Sequence, residues 1–192
     1  MFDKNLHEEC GVFAVDQTAE AAALTALGLH ALQHRGQEAA GIVSCDGQEF
    51  FTHHAQGQVG DIFHEARIIK ALKGEKAIGH VRYSTAGSKF ANHIQPLLAE
   101  FSFGKLALAH NGNLTNALAL RHKLISKGAI FSTAMDTEVI IHLMAQSKMQ
   151  QAEDKLIDAL KQIEGAYSLV AMTAKAILAV RDPHGIRPLI IG

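Results

Sequence analysis

The apolar segments of this chain follow one another through turns, and that succession restricts its fold more than any other feature. Gly11-Val12-Phe13-Ala14-Val15 is a compact run of strand length. Ala40–Ser44 and Glu49–His53 flank Cys45-Asp46-Gly47, and Asp-Gly between two apolar runs is a hairpin signal. Ala77–Val81 and Leu106–His110 read as short buried strands, the second running into a turn at Asn111-Gly112-Asn113. Tyr167–Thr173, Ala176–Val180 and Leu189–Ile191 read as closing strands. Parallel neighbours would need a long crossover between successive strands, and most of these strands lack one. The expectation is an α+β protein with antiparallel sheets covered by helices.

The helical segments have their own period. Ala19–His34 carries Leu24, Leu27 and Ala31 at helical spacing, with Gly36 placed to stop it. Asp61–Lys73 sets Ile62, Ala66, Ile69 and Leu72 on one side. Asn116–Lys127 is closed by Gly128. Met135–Met149 gathers Val139, Ile140, Leu143 and Met144 on one face, and Glu153–Ile163 is amphipathic. A chain of 192 residues suits one domain that buries roughly 70% of its unfolded surface.

Composition removes several function classes. Lys+Arg is 18 against 19 Asp+Glu, so the basic excess of a phosphate-contacting nucleic-acid binder is missing. No apolar run reaches the ~18 residues of a membrane span, and the leading MFDKNLHEE lacks the apolar stretch of a secretory signal. Cys10 and Cys45 are too few for a disulfide framework, which places the chain in a reducing, cytoplasmic setting. Twelve histidines invite a metal reading, but no HExxH or CxxC pattern accompanies them and no metal site is expected.

Five places can carry chemistry, and each has a plain alternative. Cys10 is a small hydrophobe at a strand start or a nucleophile uncovered by removal of residues 1–9. In the second case its own α-amine, with a pKa of about 7.7–8, is the general base. Arg82 follows a strand in His80-Val81-Arg82-Tyr83-Ser84-Thr85-Ala86-Gly87. It makes a structural ion pair, or its planar fork takes a carboxylate. Asn111-Gly112 is a type I′ turn, or a side-chain amide and a backbone N–H that form an oxyanion hole. Asp136 complements a helix dipole or holds a substrate ammonium. Asp182 to Pro188 is a polar turn between apolar runs. An Arg and an Asp that clamp an α-amino acid, with a thiol and oxyanion donors at its acyl group, spell amide hydrolysis through a covalent intermediate.

His34 to Gly41, His80 to Gly87, Ala109 to Asn116, Met135-Asp136-Thr137-Glu138 and Asp182 to Leu189 occur here in that order. In combination they resemble the class II, N-terminal-nucleophile glutamine amidotransferase domain of the amidophosphoribosyltransferase family, from Cys10 to Gly192. The resemblance implies a four-layer αββα sandwich with two antiparallel sheets. It implies a leader of residues 1–9, cut between Glu9 and Cys10, and an amidotransferase domain over 10–192. Cys10 would form a γ-glutamyl thioester, with Asn111 and the Gly112 N–H as the oxyanion hole. Arg82 would bind the glutamine α-carboxylate, with the Thr85 region lining the same pocket, Asp136 would bind the α-amine, and Arg35 would stand near the catalytic cysteine.

Ammonia would pass to a phosphoribosyltransferase domain that these 192 residues do not supply. No cofactor is implied in this chain, since Mg²⁺ and phosphoribosyl pyrophosphate belong to that other half. The apolar ending Ile190-Ile191-Gly192 fits a cut at the domain boundary. The full-length protein is expected to be a homo-oligomer, and alone this chain would be a glutaminase. The glutaminase domain of glucosamine-6-phosphate synthase would share the mechanism. It has Arg-Trp-Ala-Thr-His-Gly where this chain has Arg82-Tyr83-Ser84-Thr85-Ala86-Gly87. A non-catalytic regulatory module that keeps residues 1–9 is the other alternative.

Overall fold

The computed structural model describes residues 10–82 and 94–192. Two four-stranded antiparallel sheets form among them. The first joins β1 (Gly11–Val15), β2 (Ala39–Cys45), β3 (Phe50–Gln56) and β4 (Lys76–Arg82) in the order β1-β4-β2-β3. The second joins β5 (Leu97–Phe101), β6 (Gly104–Leu114), β7 (Gly165–Thr173) and β8 (Ile177–Arg181) in sequence order. Helices α1 (Ala21–Ala31), α2 (Val59–Ile62) and α3 (Ala66–Ala71) lie with the first sheet. Helices α4 (Ala117–Ser126), α5 (Thr137–Gln146) and α6 (Ala152–Leu160) cover the second.

Side-chain alternation along the strands makes the layers. In β2, Ala40 and Ile42 face α1 and its neighbours, while Val43 and Cys45 face the other sheet. That strand is therefore buried on both faces throughout. Between the sheets, Val43, Cys45 and Ile78 meet Ala107, Ala109, Val170 and Met172. Alanines at 107 and 109 let the sheets approach closely, and each fully buried Val, Ile or Met there contributes about 1.5–3 kcal/mol. A third apolar layer packs Leu120, Leu124, Ile140, Met144 and Leu156 onto Leu106, Leu108 and Leu169. The result is the αββα sandwich that the resemblance implies.

The hairpin at Asp46-Gly47 forms as its chemistry predicts. Asp46 Oδ1 accepts from the Gln48 and Glu49 N–H groups, and Gly47 takes φ 97°. Three expectations are corrected. Asp61–Lys73 splits into α2 and α3, because Glu65 is extended (φ −81°, ψ 119°) and the His64 ring bonds the Asp61 carbonyl. Asn111-Gly112-Asn113 is no turn: it continues β6, paired with Ser168, Tyr167 and Ala166. Leu189–Ile191 forms no strand. The segment after β8 instead wraps round Asp182, whose carboxylate accepts from the N–H groups of His184, Ile186 and Arg187. The sequence reading has no strand at β5, whose Leu97-Leu98-Ala99-Glu100-Phe101 is short and only half-buried.

Candidate active site

Cys10 immediately precedes β1 and is partly buried. The register Gly11↔Val81 sets it beside Arg82 at the end of β4. Val12 and Ala14 pack into the layer between the sheets, so alternation puts Cys10 on that same face. Arg35, just after α1, donates from Nε to the Cys10 carbonyl oxygen at 3.1 Å. Gly36 follows it so closely against β4 that a Cβ there would lie 2.7 Å from the Arg82 carbonyl carbon. The Glu38 N–H donates to the Arg82 carbonyl at 3.1 Å. The turn after α1 thus ties the start of β1 to the end of β4.

The far end of β6 supplies the second half. The Thr115 N–H donates to Glu164 O at 2.8 Å, which fixes the parity of the β6–β7 ladder. Odd-numbered N–H groups of β6 bond β7, and even-numbered ones face the opposite edge. β5 covers that edge only as far as Leu97↔Leu108. Beyond it the His110 N–H donates to Gln95 Oε1 at 2.8 Å and the Leu114 N–H to Asp136 Oδ2 at 3.0 Å. The Gly112 N–H lies between these two on the same edge. Gly112 has φ 153°, and a Cβ there would stand 2.1 Å from Ala166 O, so only glycine fits. Asn111 is 5% exposed and shares the face of Ala107 and Ala109, towards the first sheet.

Asp136 precedes α5 but makes no side-chain cap to that helix. Its carboxylate reaches across to β6 instead. Oδ2 accepts from Leu114, and Oδ1 is 3.2 Å from His110 Nδ1. Burial opposes ionisation of Asp136, but the His110 ring and the Leu114 N–H outweigh it and hold the carboxyl below the usual range. The loop before α5 is fixed by Glu138. Its two carboxylate oxygens accept from the N–H and hydroxyl of both Ser132 and Thr133 at 2.7–2.9 Å. Arg121 lies over the Phe131 ring at 4.0 Å and donates to the Thr133 carbonyl. Sequence reasoning missed both His110 and Glu138. A histidine directly before Asn111-Gly112 was the one available signal.

Other candidates separate from this end. Cys45 is fully buried between the sheets, and burial pushes its thiol up. His80 pairs with Val12 and lies one step from Cys10 across β1 and β4. It is fully buried, and burial, with His110 beside it, brings it down to about 3. A base that weak cannot hold a thiol proton near neutral pH. Thr85, Tyr83 and Ser84 lie outside the described residues, as do residues 1–9. Among the described residues no group of three His, Cys, Asp or Glu side chains is suited to a metal, and no helix is long and apolar enough to cross a membrane.

Ile78 packs with Ala107 and Ala109, and His80 lies by His110, so β4 and β6 run to the same end of the sandwich. There Cys10 and Arg82 come from the first sheet and its approach, Arg35 from the turn after α1, Asn111 and Gly112 from β6, and Asp136 from the start of α5. A cation, an anion, a thiol and two amide donors at one place can hold an α-amino acid by both charges and attack its side-chain acyl group.

A family model for the glutamine amidotransferase domain matches residues 80–192. An amidophosphoribosyltransferase of Rhizobium etli is 54% identical over 187 residues, 97% of this chain and 38% of that protein. The amidophosphoribosyltransferase of Lacticaseibacillus casei is 47% identical over 189 residues, 98% of this chain and 97% of that sequence. A solved structure described as the allosteric regulatory enzyme of purine biosynthesis has a TM-score of 0.88 and 44% identity, covering 92% of this chain and 38% of its own. The chain therefore spans well under half the length of the Rhizobium etli relative.

Proposed function

Because the chain belongs to the amidophosphoribosyltransferase family, as its glutamine amidotransferase domain, we propose that it releases ammonia from the side-chain amide of glutamine at Cys10. The observation that carries this reading is the Gly112 N–H on the edge of β6 beyond the end of its pairing with β5, next to Asn111 and at the Cys10 end of the sandwich.

Removal of residues 1–9 gives Cys10 a free α-amine. That amine takes the thiol proton, and the thiolate adds to the amide carbon of glutamine. Asn111 and the Gly112 N–H receive the charge that develops on the amide oxygen. Arg82 holds the α-carboxylate, and Asp136 holds the α-ammonium. The carbon–nitrogen bond breaks as the amine returns its proton to the leaving nitrogen, so ammonia departs and a γ-glutamyl thioester remains. Water, deprotonated by the same amine, adds to the thioester, and the sulfur leaves as thiol with that proton. The sum is glutamine plus water to glutamate plus ammonia. His80, held down to about 3, is no competitor for the base, which supports the α-amine in that role. Arg35 fixes the Cys10 carbonyl and so the direction of the nucleophile.

In the full-length protein the ammonia would meet phosphoribosyl pyrophosphate on a phosphoribosyltransferase domain, as the first committed reaction of purine synthesis. The names of the relatives support that extension. Mg²⁺ would serve that second domain. Cys10 and Cys45 form no disulfide, which suits a reducing cytoplasm.

Glutamate release from glutamine by the purified chain tests the reading. Cys10→Ala abolishes turnover and Cys45→Ala with its small volume change retains it. Asn111→Ala lowers kcat by about 10²–10³ with little change in KM. Full turnover by Cys10→Ala would end the proposal.

A further inference from the structure

Asp136 is held by β6 more than by its own helix. Leu114 donates to Oδ2 at 3.0 Å, and His110 Nδ1 stands 3.2 Å from Oδ1. Two donors on two different oxygens fix the plane of a carboxylate, whose remaining lone pairs stay open to a cation. The Asp136 side chain is 23% exposed, so that open side is reachable.

The two ring nitrogens of His110 differ in their partners. Its side chain is 1% exposed, and Nε2 has no hydrogen-bond partner among the described residues. A proton on Nε2 would be stranded in the core. The geometry therefore puts an N–H on Nδ1, which faces Asp136 Oδ1 and has Thr137 Oγ1 at 3.3 Å. The ring cannot drift. The His110 N–H donates to Gln95 Oε1 at 2.8 Å, and Gln95 Nε2 returns a longer bond to the His110 carbonyl at 3.4 Å. The Tyr167 ring packs against one side in a T-shaped contact, with ring centroids 6.4 Å apart.

We infer that His110 is a positioning residue, whose Nδ1–H aims the Asp136 carboxylate at the α-ammonium of glutamine, an assignment that rests on the reading of Asp136 above. His110 is also the residue before Asn111 and Gly112. One strand end thus sets the distance between the ammonium site and the oxyanion donors, and selects a substrate that carries an amine at that distance from its amide.

The test compares kcat/KM for glutamine with kcat/KM for glutaramate, which is glutamine without its α-amino group. The purified chain is used as wild type, Asp136→Asn, His110→Ala and His110→Asn. Wild type prefers glutamine, and Asp136→Asn loses that preference. His110→Ala loses roughly ten- to a hundredfold of the preference, as fits one hydrogen bond to a charged group, mostly through KM for glutamine. His110→Asn places an amide N–H where Nδ1 was and restores most of it. An equal loss on both substrates, no loss, or no rescue by Asn overturns the role of His110. A preference that survives Asp136→Asn overturns the reading of Asp136 itself. Should His110→Ala not fold, His110→Asn against His110→Leu makes the same comparison.

Discussion

His80 sits one strand from the nucleophile and is built to stay neutral. It is fully buried, and burial, then the nearby His110 ring, holds it down to about 3 from an ordinary 6.5. The unfolded chain takes up a proton at this position below pH 6.5, whereas the folded chain does not until about 3. The stability that this difference contributes is present above 6.5 and is lost as pH falls through the window between. Each pH unit there costs about 1.4 kcal/mol. The expected outcome is a thermal midpoint that falls between pH 7 and 5 in the wild type and falls less in His80→Gln. Equal slopes would show that His80 does not titrate in this way. Residue types made Cys10, Arg82, Asn111 and Asp136 legible in the sequence, since their chemistries fit together as a clamp on an amino acid. His110 and Glu138 were not legible. Their importance comes from what they touch, His110 from Asp136 and Glu138 from the Ser132-Thr133 loop, and the position of His110 before Asn111-Gly112 was the one local hint of either.

At the scale of elements, β6 is the rail on which the site is mounted. It reads in sequence only to His110, because Asn111-Gly112-Asn113 has turn composition. Its continuation depends on β7, whose Ser168, Tyr167 and Ala166 come late in the chain and are invisible to a local reading. The short helices after β3 hide for a similar reason: their period runs on smoothly while a histidine–carbonyl bond and an extended Glu65 break it. The other support of the rail is the Gln95 segment, which crosses tightly over β2. A Cβ on Gly41 would lie 2.2 Å from Gln95 O and 2.4 Å from His54 Cδ2. Gly41→Ala must push Gln95 away, and with it the bond that fixes His110. Overpacking of this kind costs about 1–3 kcal/mol, and in a chain of 192 residues that lowers the thermal midpoint by roughly 2–12 °C. KM for glutamine should rise in the same variant. Gly60→Ala is the control, since a Cβ there meets nothing nearer than His30 at 3.8 Å.

Across the whole molecule, two sheets of similar size each give half of the site, and the apolar layer between them sets the gap. The antiparallel α+β class was legible from strands linked by turns. The pairing of β1 with β4, which places Cys10 beside Arg82, was not, because the partners are joined by a helix, a hairpin and two more helices. The central claim is that Cys10, freed of residues 1–9, is the nucleophile for glutamine. The direct measurement is the intact mass of the purified chain before and after incubation with a diazo-ketone analogue of glutamine, with the adduct mapped by peptide digestion. The account predicts a chain that begins at Cys10 and gains one adduct, on Cys10. An adduct on Cys45, or turnover of glutamine by a chain that takes no adduct at Cys10, would contradict it.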